Sequence, residues 1–371
     1  MRFVFASDSF KGTLSSEKCG KILGECLKNE IQGGTFEQLL IADGGEGTLE
    51  ALSRAKDAKY IEATVCDPLF RKIKSSYLTI GTRAVIALSE ASGLTLLKKE
   101  ERNPLYTTTY GTGELILDAL KRGYRDITLA IGGSATNDGG MGAMCALGIK
   151  FYDKNGIELE GKGQSLGKVC KIDTSSLAPE AKEASFTVMC DVKNTLLGKN
   201  GATYVYGPQK GATQEILPVL ESGMENYAGV IKSTLGIDPS LVVGGGAAGG
   251  IGAAYSVFLG AKMTSGIDTL LDILDFDSLI KGCDYVISGE GRLDSQSLCG
   301  KVIYGIANRC KRQGVPLLLI VGSLGEGYEG AYSLGVSKIY SLVNDKTTLD
   351  EAINNAESVY FERATELFKN L

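Results

Sequence analysis

Residues 5–16 read FASDSFKGTLSS, and they follow the first apolar run of the chain. An ordinary polar turn between a strand and a helix needs the glycine; it does not need Asp8, Ser9 and Lys11 crowded beside it. The stretch therefore raises two expectations at once. RFVFA (2–6) is a buried strand, and Ser15 or Ser16 caps a helix whose apolar Cys19, Ile22, Leu23, Cys26 and Leu27 recur at helical spacing. FEQLLI (36–41) reads as a second strand and a helix follows from Gly47 to Arg54, a βαβα opening that implies a parallel sheet.

The same rhythm returns at the other end of the chain. DYVIS (284–288) reads as a strand, and a helix carrying Val302, Ile303, Ile306, Ala307 and Cys310 stops at Gly314 before Pro316. LLLIV (317–321) and KIYSL (338–342) are further strands, and a last helix covers 349–369. Two strands from the front and three from the back build one doubly wound sheet. The middle differs: KIKSSYLTI and TRAVIALSEA alternate, and loops are longer. The expectation is an α/β fold of two domains, residues 1–75 with 281–371, and an inserted mixed α/β domain over 76–280 with a cleft between them.

Composition narrows the chemistry. The 371 residues contain no histidine, which removes Ser-His-Asp and Cys-His catalysis and the commonest zinc and copper ligand. Acid–base work falls to carboxylates, Lys, Tyr or Cys. Net charge is −5, with no basic stripe interleaved with aromatics, so nucleic acid is not expected as a partner. No apolar run approaches the 18 or so residues of a membrane span, and the nine cysteines form no CxxC pair; a cytoplasmic protein with reduced thiols is expected. The 49 glycines exceed ordinary usage of about 7% and gather in loops.

Five such loops stand where strands feed helices: DSFKG (8–12), ADGGEG (42–47), GGSATNDGG (132–140), GGGAAGG (244–250, after LVV) and GEGRLDSQSLCGK (289–301). Each alone is open to a structural reading as a turn, a cap or a surface ion pair. Together they combine glycines with acidic and hydroxyl groups, and a turn needs only one of those features. Gly-rich turns at helix starts suit phosphate, and carboxylates beside them call for a divalent cation between. Asp43, Glu46, Asp138, Glu290 and Asp294 with Lys11, Arg292 and Lys301 point to a metal–nucleotide complex, Mg²⁺ being favoured by an all-oxygen ligand set. FTVMCDVKN (186–194) delivers Asp191 as a base or metal ligand, and Lys193 or Lys210 could hold an acidic substrate. Walker A is absent. Gly244, Gly246 and Gly249 satisfy GxGxxG with Asp268 nineteen residues on, which keeps a dinucleotide-dependent oxidoreductase as a rival. A non-catalytic metabolite-binding protein is a second.

The set DSFKGTLSS, ADGGEGT, NPLYTTTYGTGELI, IGGSATNDGGMG, CDVKN, YGPQKGAT, GGGAAGGIGAA and GEGRLDSQSLCGK resembles the glycerate kinase type-1 family over nearly the whole chain. The resemblance implies ATP- and Mg²⁺-dependent phosphorylation of D-glycerate at the 2-hydroxyl, with a 3-kinase as the alternative. It also implies a flavodoxin-like domain from the two chain ends and an inserted domain of restriction-enzyme-like topology. Taken with the loops, Asp8, Lys11, Asp191 and Arg292 are the expected catalytic candidates, with either Asp8 or Asp191 as the base, and Ser9, Lys193 and Lys210 would contact glycerate. Gly132, Gly133, Ser134, Asn137, Gly244, Gly246, Gly249 and Lys301 would hold ATP, and Asp43, Glu46, Glu290 and Asp294 the metal. The chain departs from the family pattern at Ser7 (commonly Pro), at Ser295, Gln296 and Ser297 (commonly Gly-Gln-Thr) and at Cys299 (commonly His). The last departure implies chemistry carried by carboxylates.

Overall fold

The computed structural model describes residues 1–10, 12–42, 47–298 and 300–371. The chain divides into two compact units: Met1–Asp43, Glu50–Arg54 and Ile267–Leu371 form the first, and Gly44–Leu49 with Ala55–Gly266 the second.

The first unit is built on a five-stranded parallel sheet in the order Val336–Ser341, Leu317–Leu324, Tyr285–Leu293, Arg2–Phe5, Thr35–Gln38. Alternate side chains of a strand face opposite sides of a sheet. Phe3, Phe5, Ile287, Leu318 and Ile320 accordingly share one core with the helices Ser16–Glu30 and Ala356–Lys369. Phe5 stacks on Phe36 and Phe3 meets Phe368 edge-on, with ring centroids 4.8 and 5.5 Å apart. Ser15 caps the first helix by accepting from the Lys18 amide at 3.1 Å. The C-terminal helix of the sequence reading is two, Leu349–Asn354 and Ala356–Lys369, broken at Asn355.

Topology fixes where a ligand can sit. From Arg2–Phe5 the chain moves to Thr35–Gln38 on one side, whereas Tyr285–Leu293 leads to strands on the other. The carboxyl ends of Arg2–Phe5 and Tyr285–Leu293 thus flank the point where strand order reverses, the place at which open α/β sheets leave a crevice.

The second unit has a six-stranded mixed sheet, ordered Lys262–Thr264, Ser185–Met189, Asp126–Ala130, Arg83–Ala87, Lys72–Ile80, Ala58–Cys66. The first four strands are parallel and the last two join antiparallel. Ala58–Cys66 was not anticipated as a strand. Its side-by-side pairing with Lys72–Ile80 through a short turn at Asp67–Arg71 puts it in this sheet, so the units meet in sequence near 54 and 266, not near 75 and 280. No strand precedes Gly244; a 3₁₀ turn, Pro239–Leu241, stands there instead. Among the described residues no helix is long and apolar enough to cross a membrane.

Candidate functional site

At the switch point of the first sheet the backbone runs past its last strand residue without a break in pairing: the Asp8 amide donates to the Gly289 carbonyl at 2.9 Å. This places Asp8 and Ser9 beside Glu290, Gly291 and Arg292. With Lys301, these residues form the polar wall of a cavity of about 380 Å³. The Asp8 carboxylate also accepts from the Ser9 amide at 2.7 Å. Glu290 is the buried member of the group. Burial pushes its carboxyl up to about 7, helped by the Asp8 charge and opposed by the Ser297 hydroxyl and Lys301. Among the described residues its buried Oε1 has no hydrogen-bond partner, an oxygen with capacity for a donor or a cation.

Asp294 is placed differently. Its Oδ1 accepts from the Gln296 and Ser297 amides at 2.9 and 3.3 Å, and its Oδ2 stands 3.6 Å from Arg292 Nε, so it closes the turn after the strand. Lys301 is the N-cap position of the helix Val302–Gln313, and both Lys301 and Val302 line the same cavity. A cation and a helix start side by side suit an anion. Lys11, Asp43, Glu46 and Cys299 lie outside the described residues. Among the described residues no three acidic, cysteine or histidine side chains are grouped to hold a metal ion; two carboxylates plus phosphate oxygens would serve Mg²⁺ equally. Sequence reasoning missed the other side of this cavity, where Leu342, Leu349, Ala352 and Ile353 stand.

The second unit gathers the remaining candidates into a loop cluster. Gly132 and Gly133 stay at the surface, but Ser134, Asn137 and Asp138 are buried. Asp138 is wholly enclosed. Its Oδ2 accepts from the Thr109 amide and hydroxyl at 2.8 and 2.7 Å and from the Gly142 amide at 3.2 Å, and Oδ1 takes the Gly140 amide. One carboxylate thereby serves the starts of two helices, Tyr110–Lys121 and Met141–Ala146. Burial raises its pKa, and those hydrogen bonds oppose the shift. Asn137 Nδ2 donates to the Thr203 hydroxyl.

Lys210 is 1% exposed. Its Nζ donates to Ser134 Oγ and to the Thr136 carbonyl, each at 2.7 Å, and burial drives its pKa down to about 7 against the pull of Asp138. It braces the 132–140 loop from within and presents no ammonium to solvent. The 244–250 loop lies against the same segment, with the Gly139 amide donating to the Gly249 carbonyl at 3.0 Å. A β-carbon on Gly249 would lie 2.0 Å from the Thr136 carbonyl oxygen, and one on Gly246 would lie 2.2 Å from that of Thr195. Close backbone packing accounts for both glycines. Gly244 is likewise buried. Asp268, the acidic residue of the dinucleotide reading, belongs to the first unit, where it pairs with Arg309 at 3.5 Å. With no preceding strand and with the acid elsewhere, GxGxxG here is not the strand–turn–helix of a dinucleotide fold. Asp191 is exposed and accepts from the Gly266 amide at 2.8 Å; Lys193 is exposed beside it.

The sequence model described as the glycerate kinase family matches residues 3–371. The chain is 42% identical to the glycerate 2-kinase of Escherichia coli K12 over 96% of its length and 94% of that protein's. It is 39% identical to the glycerate kinase of Halalkalibacterium halodurans, covering 98% and 96%. A solved structure of a chain assigned as glycerate kinase 2 from Salmonella typhimurium LT2 superposes with a TM-score of 0.86 at 38% identity, over 100% of this chain and 98% of that one.

Proposed function

Since the chain belongs to the glycerate kinase family, and so is a phosphotransferase acting on glycerate, we propose that it moves the γ-phosphoryl group of ATP to the 2-hydroxyl of D-glycerate at the carboxyl edge of its parallel sheet. The observation that carries this reading is the arrangement of Asp8, Glu290, Arg292 and Lys301 around one cavity at the switch point.

Phosphoryl transfer asks the protein for alignment, neutralisation of charge on the transferring group and an acceptor for the hydroxyl proton. Lys301, Arg292 and the first amides of the helix Val302–Gln313 suit the phosphates. Asp8 is the proton acceptor of the proposal: it lines the cavity, and the Ser9 amide on Oδ1 orients its carboxylate. Ser9 adds a hydroxyl for glycerate. Asp191 is the other candidate base and Lys193 a candidate for the substrate carboxylate. Lys11 is a further catalytic candidate. Mg²⁺ supplies charge neutralisation between phosphates when bound. The buried, partnerless Oε1 of Glu290 fits such an ion, and Asp43 and Glu46 remain candidates for the same role. Relatedness to a glycerate 2-kinase supports the 2-hydroxyl as acceptor. Eight free thiols among the described residues support a reducing, cytoplasmic setting.

Phosphorus NMR of the purified protein with ATP, Mg²⁺ and D-glycerate tests the reading. A 2-phosphoglycerate resonance growing with ADP is expected. A 3-phosphoglycerate resonance would move the acceptor atom, and unconsumed ATP would overturn ATP as the donor.

A further inference from the structure

The cavity in the first unit has two unlike halves. Asp8, Glu290, Arg292 and Lys301 stand over the carboxyl ends of Arg2–Phe5 and Tyr285–Leu293, while Leu342, Leu349, Ala352 and Ile353 close it on the side of Val336–Ser341. Leu342 and Ala352 are buried, but Leu349 and Ile353 are 54% and 50% exposed. They are four residues apart on the helix Leu349–Asn354, and Ala352 between them turns the same face to the cavity. A capping box fixes that helix at its start: the Thr348 amide donates to Glu351 at 2.8 Å, and the Thr348 hydroxyl accepts the Glu351 amide at 3.3 Å. The apolar face is therefore held in place at the mouth of a polar site.

Glycerate cannot account for it. Its three carbons carry a carboxylate and two hydroxyls, leaving no apolar surface to desolvate against leucine and isoleucine. The other substrate of the proposed reaction has such a surface in its purine ring, and the spacing agrees. From Arg2–Phe5 to Val336–Ser341 is three strand intervals, roughly 14 Å, a separation suited to a nucleotide lying with its terminal phosphate at one end and its base at the other.

We propose that Leu349, Ile353, Ala352 and Leu342 form the base subsite of the nucleotide, with the purine lying on the half-exposed Leu349–Ile353 face and the triphosphate running along the sheet edge to Lys301 and Arg292. The inference rests on the reading of ATP as donor. It puts the whole donor on the first unit and gives the 244–250 loop no part in holding the base.

Calorimetric titration of the full-length protein with Mg·ATP and, separately, with Mg·tripolyphosphate tests it, because the second probe has the phosphates and lacks the base. In the double variant Leu349→Ala/Ile353→Ala, which removes two half-exposed side chains and keeps good helix formers, ATP affinity falls about tenfold or more and tripolyphosphate affinity is unchanged. KM for ATP rises likewise, with kcat and KM for D-glycerate unmoved. Unchanged ATP affinity, or an equal loss for both probes, overturns the subsite. If the wild type phosphorylates glycerate while the variant keeps its ATP affinity, the subsite alone fails. A wild type that binds no ATP overturns the donor reading and the subsite with it.

Discussion

At the sheet edge of the first unit, acidic and basic side chains stand on the wall of a cavity; in the loop cluster of the second unit, they are inside the protein. The sequences look alike, since both regions join glycines to an Asp or Glu and a Lys. In the first, Glu290 keeps an oxygen without a partner among the described residues, and Lys301 and Arg292 remain exposed. In the second, Asp138 and Lys210 are enclosed and their polar atoms are bonded to the loops they hold. Glycine-rich polar motifs thus mark places where backbones come close, and whether the charged groups stand on a cavity wall or are enclosed and bonded separates the two regions.

The largest expected effect tests the first half of that contrast. Asp8→Asn leaves the fold intact and lowers kcat by about 10²–10⁴-fold, whereas Asp191→Asn, in the other unit, costs far less. Steady-state kinetics with unchanged thermal melting checks both. Near-normal turnover in both variants would remove the carboxylate base from the scheme.

The second half is tested by stability. Asp138→Ala strands the Thr109 and Gly142 amides and the Thr109 hydroxyl, and each buried orphan costs about 1–3 kcal/mol. A loss of at least about 3 kcal/mol in denaturant unfolding is expected. A loss below 1 kcal/mol would mean that the buried carboxylate is not what joins the two helix starts.

Much of the first unit was legible because Arg2–Phe5, Tyr285–Leu293 and Leu317–Leu324 start as apolar runs, and helices with clear signals follow, such as the one stopped at Gly314 in the left-handed region at φ 68°. Ala58–Cys66 was not, because a strand half exposed in an antiparallel hairpin alternates weakly, and its partner follows it by one short turn. LVV before Gly244 looked like a strand, yet Leu241 and Val243 are 76% and 64% exposed and the stretch is a turn. Of the five loops, 8–12 and 289–301 contribute Asp8, Ser9, Glu290, Arg292 and Lys301 to one cavity, whereas 132–140 and 244–250 belong to the second unit. The sequence pattern could not reveal that Lys210 is enclosed, because lysine is almost never buried and nothing in GPQKGAT announces the exception. Leu349 and Ile353 fall in what reads as one last helix over 349–369; the structure breaks it at Asn355.

Lys210 gives the finest test, because its contribution changes with pH. A neutral amine has two N–H donors, enough for Ser134 Oγ and the Thr136 carbonyl; a third proton adds charge to a buried group. With a folded-state pKa of about 7 against an ordinary 10.5, the lysine is protonated in both states below pH 7, and the cost of enclosing the charge is then complete. Between pH 7 and 10.5 the unfolded chain binds more protons than the folded one, so this group makes stability rise with pH. Lys210→Met loses the two hydrogen bonds at every pH and has no such slope. The stability gap between wild type and variant should therefore be small near pH 6, where the lost bonds are offset by the removed charge, and widen steadily toward pH 9.5. Unfolding curves at matched pH measure the gap directly. A gap that stays constant across that range would mean that Lys210 is charged throughout and that the loop cluster holds an ammonium after all, which would bring it closer in kind to the sheet-edge site.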